Sequence, residues 1–76
     1  MQTYKNLGGN SGVRLYEIGT DYIDIIFSGS LVYRFSYKSP GKTEVEHMKK
    51  LALQGQGLNS YISRCIRSNY ETKYYL

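Results

Sequence analysis

Leu31-Val32-Tyr33-Arg34-Phe35-Ser36-Tyr37-Lys38, then Ser39-Pro40-Gly41, then Thr43-Glu44-Val45-Glu46, is the passage on which the fold turns. The first run reads as a strand, with Leu31, Tyr33, Phe35 and Tyr37 on one face and Val32, Arg34 and Ser36 on the other. Pro40 has no N–H for a ladder and Gly41 relaxes the turn, so the strand stops there. Thr43 to Glu46 has the form of a capping box, the Thr43 hydroxyl accepting an N–H bond while Glu46 reaches back. Val45, Met48, Leu51 and Ala52 follow at helical spacing, Glu46 and Lys50 form an i,i+4 pair on the wet side, and Gly55 takes the left-handed C-terminal position.

Two further strands precede this one. Val13 to Ile18 is rich in β-branched and aromatic residues. In the next run Ile23, Ile25 and Phe27 point one way and Tyr22, Asp24 and Ile26 the other. Gly19-Thr20-Asp21 and Ser28-Gly29-Ser30 are hairpin loops. Beyond the corner Gly55-Gln56-Gly57-Leu58-Asn59, Asn59 or Ser60 caps a second helix with an apolar stripe of Tyr61, Ile62, Cys65 and Ile66. The expected architecture is α+β: a three-stranded antiparallel β-meander packed on one face by two C-terminal α-helices. Residues 1–12, with Gly8, Gly9, Asn10, Ser11 and Gly12, read as a flexible lead-in, residues 13–70 as a single domain and residues 71–76 as a short aromatic tail.

Seventy-six residues suffice for one small core. Tyr occurs nine times against two Phe and no Trp, so much of the apolar area carries a hydroxyl that needs water or a partner. A thin core with several rings near the surface is the consequence. No run approaches the ~20 apolar residues of a membrane span, and the first residues lack the apolar stretch of a secretory signal. Cys65 is alone and forms no internal disulfide. A cytoplasmic protein without a membrane partner is expected.

The net charge of +4 is unevenly placed. Lys5, Arg14 and Arg34 balance Glu17, Asp21 and Asp24 in the first half, so the whole excess belongs to the helical half. There Lys38, Lys42, Lys49, Lys50, Arg64, Arg67 and Lys73 face only Glu44, Glu46 and Glu71, with Tyr70, Tyr74 and Tyr75 interleaved. Such a surface suits an anionic partner, and Arg64 and Arg67, three apart on one helix, share a side suited to phosphate. A soluble, charged helix face is the competing account.

Catalysis finds little support. His47, the only histidine, has no evident orienting partner or nucleophile and reads as a solvated helix residue. Cys65 reads as a small core residue, and one His with one Cys makes no closed zinc site. Asp21, Asp24, Glu44 and Glu46 read as turn, strand-surface and helix-start residues. No catalytic residue, metal or cofactor is assigned. Gly55-Gln56-Gly57 resembles a phosphate cradle before a helix N-terminus, with Arg64 near any anion held there, but lacks the Lys-Ser/Thr sequel and reads first as a helix–helix connection. The row Tyr33, Phe35 and Tyr37 is a stacking platform if the sheet face is open and core if the helices cover it. The covered arrangement is preferred, because the helices need an apolar face to pack on. Arg34, with Tyr16 or Tyr22, then faces water or a partner.

The order Val32-Tyr33-Arg34-Phe35, Pro-containing turn, amphipathic helix, Gly57-Leu58-Asn59, Ile62, Ile66-Arg67 and Tyr70 resembles the KTSC domain, a family named for its place at the C-terminus of some lysyl-tRNA synthetases and also found as small free-standing bacterial and phage proteins. The resemblance runs from about Ser11 to Tyr70. Phe35 departs from it, since the family usually has Tyr at both positions of this motif. What the resemblance implies is RNA binding, an inference from the synthetase context, and no tRNA charging, because this chain has no synthetase catalytic domain. Residues and resemblance together lead to the expectation of a non-enzymatic nucleic-acid-binding module, RNA favoured, with Lys49, Lys50, Arg64, Arg67 and Lys73 on phosphates and Tyr70 stacking on a base. A protein-interaction module, homodimeric or docked on a host enzyme, is the alternative.

Overall fold

The computed structural model describes residues 1–9 and 12–76; Asn10 and Ser11 of the glycine-rich lead-in lie outside them. The chain runs β1 (Gln2–Thr3), β2 (Leu15–Ile18), β3 (Tyr22–Ile26), β4 (Leu31–Ser36), α1 (Lys42–Gln54), α2 (Leu58–Tyr61) with a π-helical turn over Ile62–Ile66, and β5 (Thr72–Tyr75). The strands form one antiparallel sheet in the order β1-β2-β3-β4-β5. The α+β class and the central meander β2-β3-β4 are as expected, but the sheet has five strands rather than three. The extra two come from the segments read as lead-in and tail. Gln2 and Thr3 pair with Tyr16 and Leu15, and Thr72 to Tyr75 pair with Arg34 to Leu31. Two-residue β1 is too short for any alternation to show in the sequence, and β5 follows a loop with no turn signature.

The register places the rows. One row on the helix-covered face runs Gln2, Tyr16, Ile25, Tyr33, Lys73, and the next pairs Ile23 with Phe35. On these lie Val45, Met48 and Ala52 of α1, then Leu58, Ile62 and Ile66, with Tyr4 and Val13 closing the core from the N-terminal side. Phe35 is buried, and Tyr33 and Tyr37 pack half-buried against the cluster, so the aromatic row is core at its centre. Tyr16 belongs here too, edge-on to Tyr4 at 6.5 Å, rather than on the outer face.

The outer face is not simply wet. Its rows run Leu15, Ile26, Val32, Tyr74 and Glu17, Asp24, Arg34, Thr72. Ile26 and Val32 are fully buried there, and so is Asp24.

The helix starts differ from expectation. No side chain caps α1; it begins at Lys42 with Gly41 as N-cap, whose carbonyl accepts the Val45 N–H at 3.0 Å. Thr43 is already inside the helix, so its hydroxyl cannot serve the first-turn donors. Glu46 pairs with Lys49 at 2.8 Å rather than with Lys50. Gly55 does end α1 in the left-handed conformation, φ 81°. Neither Asn59 nor Ser60 caps α2, which starts at Leu58 behind Gly57, its first N–H donating to the Tyr4 hydroxyl at 3.3 Å. Cys65 is exposed, not core. A π turn takes more residues per revolution than an α turn, so Ile62 and Ile66 both face inward and Cys65 is carried out of the stripe.

Candidate nucleic-acid interface

α1 packs on the central strands β3 and β4. The chain leaves the π turn with the Arg67 N–H donating to the Ile62 carbonyl, and Arg67 itself adopts φ 54°, ψ −121°. A non-glycine residue with positive φ is uncommon and strained, and such strain, like π turns, gathers at functional sites. Between the end of the β3–β4 hairpin and this bend lies a cleft of about 440 Å³ lined by Phe27, Leu31, Tyr33, Ile62, Arg67 and Tyr70, among others. Its rings meet edge to face: Phe27–Tyr33 at 5.6 Å, Tyr33–Tyr70 at 5.1 Å and Phe35–Tyr70 at 6.2 Å. The Lys73 ammonium lies 5.9 Å from the Tyr70 ring centroid, within cation–π range, and Lys73 is the ladder partner of Tyr33.

Of the residues expected to form the site, Arg67 and Tyr70 line this cleft, and Lys73 reaches it only through its contact with the Tyr70 ring. Lys50 and Arg64 are exposed on the helices but line neither this cleft nor the smaller one described below. Helical i,i+3 spacing does not align Arg64 with Arg67, because Arg67 stands past the end of the π turn. Lys49 is committed elsewhere: its ammonium donates to the Glu46 carboxylate at 2.8 Å and to the Thr20 carbonyl at 3.0 Å. Glu46 also accepts the Tyr37 hydroxyl at 2.6 Å. These two donors, Lys49 first, hold the Glu46 carboxyl below its usual range, and the same bond raises the Tyr37 hydroxyl above its own. A cation so engaged is poorly placed to serve a phosphate. Among the described residues, Lys50, Arg64, Arg67 and Lys73 make no ion pair.

Tyr74 also leaves the expected surface. It turns to the outer face and donates its hydroxyl to Asp24 Oδ2 at 2.8 Å, where Arg34 forks onto both carboxylate oxygens at 2.8 and 2.9 Å. The guanidinium lies 4.0 Å over the Tyr22 ring. The hydrogen bonds from Arg34 to Asp24 make the guanidinium still harder to deprotonate, while burial and then the bond to Asp24 raise the Tyr74 hydroxyl. This charge-neutral cluster buries Asp24, which the sequence alone places on the strand surface. The sequence held its signal: a hairpin folded symmetrically about Gly29 sets Asp24 opposite Arg34.

The corner at Gly55-Gln56-Gly57 borders a smaller cleft of about 210 Å³ with Tyr4, Asn6, Asn59 and Ser60. Arg64 does not line it, and the Leu58 N–H is already bonded to Tyr4. The tight-connection reading therefore accounts for this corner. His47 is exposed with its ring 4.5 Å from that of Tyr61. Among the described residues no group of three or more His, Cys, Asp or Glu could hold a metal ion, and no helix is long and apolar enough to cross a membrane. Comparison with known proteins finds no matching family, no similar curated protein and no similar solved structure.

Proposed function

We propose that this protein is a non-enzymatic, cytoplasmic module that binds single-stranded nucleic acid, RNA in preference, through the cations of its helical half. The observation that carries it is the convergence of Arg67, Tyr70 and Lys73, two unpaired cations and a ring, at one end of the sheet. Phosphate neutralisation needs cations not already spent on carboxylates, and rings at the same place let unpaired bases stack. Arg64 on the π turn and Lys50 on α1 are further exposed cations of the helical half. Membership of the KTSC family is part of this proposal and rests on motif order alone.

Fluorescence anisotropy of labelled single-stranded RNA, single-stranded DNA and duplex RNA across a salt series tests it. Binding of single strands should weaken steeply with salt, and Arg64→Ala with Arg67→Ala should weaken it further without unfolding the domain. Equal binding by that double variant would reject the assignment of these two residues.

A protein-interaction role is the second reading, favoured by one observation. β5 is an edge strand, and Tyr75 and Leu76 at its end are 75% and 73% exposed. Edge strands pair readily with another chain, and binding through such aromatic anchors would respond little to salt.

A further inference from the structure

We infer that the Phe27–Tyr33–Tyr70 cleft is a pocket for one unpaired nucleobase of the bound strand, with Arg67 and Lys73 holding the phosphates on either side of it. This rests on the nucleic-acid reading above and adds to it where a base goes. At about 440 Å³ the cleft falls within the roughly 300–1,000 Å³ typical of small-molecule sites. Its lining is aromatic and aliphatic with Ser28, Ser68 and Arg67 beside them, and among the described residues no Asp or Glu lines it. A purely apolar occupant would leave the Arg67 guanidinium without use, and a bare phosphate would leave Phe27, Leu31, Tyr33 and Ile62 without use. A nucleotide combines both halves, a flat π system and an anion joined by a short linker.

Three features of the chain converge on the same place. The π turn ends there, Arg67 is held with positive φ at its lip, and Tyr33 stands nearly perpendicular to both Phe27 and Tyr70, at 78° in each case. Phe27, Tyr33 and Tyr70 line the cleft and are each only half-buried, so ring surface remains there for a ligand. Bases inside a duplex present only edges to a protein, and a cleft between rings needs one that has left its stack.

The test uses the whole chain and eight-nucleotide RNAs carrying 2-aminopurine or an abasic site at a central position. Wild-type protein should quench 2-aminopurine on binding, and moving the abasic site along the strand should reveal one position whose loss lowers affinity about tenfold, as loss of a single stack does. Tyr70→Leu keeps apolar bulk at the core margin while removing the flat ring, and should abolish the quench. If Tyr70→Leu fails to fold, the abasic series on the wild-type protein still decides. Salt-dependent binding with unchanged 2-aminopurine emission and no sensitive abasic position overturns the pocket and leaves the binding module standing. Failure of every RNA to bind at low salt overturns both.

Discussion

Arg67 is where local energetics and proposed function oppose each other. Its φ of 54° sits in the region that favours glycine, and residues held in such sparsely populated regions cost on the order of 1–3 kcal/mol. Arg67→Gly removes that strain, offset in part by the greater freedom of glycine in the unfolded chain. A net gain of about 1 kcal/mol is expected, seen as a rise in Tm of roughly 4–8 °C for a domain of this size. RNA affinity should fall in the same variant, because the cation at the cleft is gone. Thermal melts and anisotropy on one preparation check both directions, and a loss of stability would mean that the Arg67 side chain contributes more to the fold than its backbone costs. Asp24 makes the opposite case. It is 1% exposed, and among the described residues its side-chain bonds all come from Arg34 and Tyr74. Arg34→Ala would leave a buried carboxylate with one donor, a loss of about 3–5 kcal/mol that a domain this small scarcely survives. Urea unfolding measures it, and a loss below about 1 kcal/mol would show that water reaches the carboxylate once the guanidinium is removed.

At the scale of elements, legibility followed periodicity. Strands β3 and β4 and helix α1 are readable because each is long enough for its apolar spacing to repeat, as in Ile23, Ile25 and Phe35 or Val45, Met48 and Ala52, while β2 is readable only from its β-branched and aromatic content. β1 and β5 are not, because a sheet edge is completed by backbone pairing that needs no particular side chains. Arg67, Tyr70 and Lys73 are legible only as members of a longer basic face that also takes in Lys49, Lys50 and Arg64; what sets them apart, a cleft lined by Phe27, Leu31 and Ile62 from separate parts of the chain, is not legible. Cys65 went astray for one reason, an α-helical period applied to a π turn. Gly55 joins these levels. It closes α1 with φ 81°, and its carbonyl accepts the Leu7 N–H at 2.7 Å, tying the N-terminal segment to the helix end. A Cβ at this position would meet the Lys5 Cβ at 2.7 Å. Gly55→Ala therefore combines a left-handed penalty with a clash, and a destabilisation of about 2 kcal/mol is expected by denaturant titration. Amide exchange should quicken at Leu7 in particular; uniform quickening across the sheet would mean that the N-terminal segment is not a separate unit of stability.

Over the whole molecule, the abundance of tyrosine makes stability a function of alkaline pH. The hydroxyls of Tyr74, Tyr61 and Tyr37 are all raised in the folded protein: Tyr74 by burial and its bond to Asp24, Tyr61 by burial, Tyr37 by its bond to Glu46. In the unfolded chain a tyrosine loses its proton near pH ~10. Above that point the unfolded state binds fewer protons than the folded one, so stability falls as pH rises, and it continues to fall until the raised folded values are passed. Below pH ~10 the contribution is complete. The Glu46 carboxyl, lowered by Lys49 and Tyr37, acts in the other direction: its contribution is complete above the usual carboxylate range near ~4.3 and is lost as pH falls through the folded value. Urea midpoints should therefore be level between about pH 5 and 9 and decline on both sides. The bond between the Tyr37 hydroxyl and Glu46 is exposed to solvent, so their shares are small, and Tyr74, fixed over a buried carboxylate, should dominate the alkaline limb. Tyr74→Phe is expected to lower stability at neutral pH by about 1–2 kcal/mol, through the lost bond to Asp24, and to flatten the decline above pH ~10. An alkaline decline just as steep in Tyr74→Phe would move its origin to the other tyrosines and show that the outer-face cluster carries none of it.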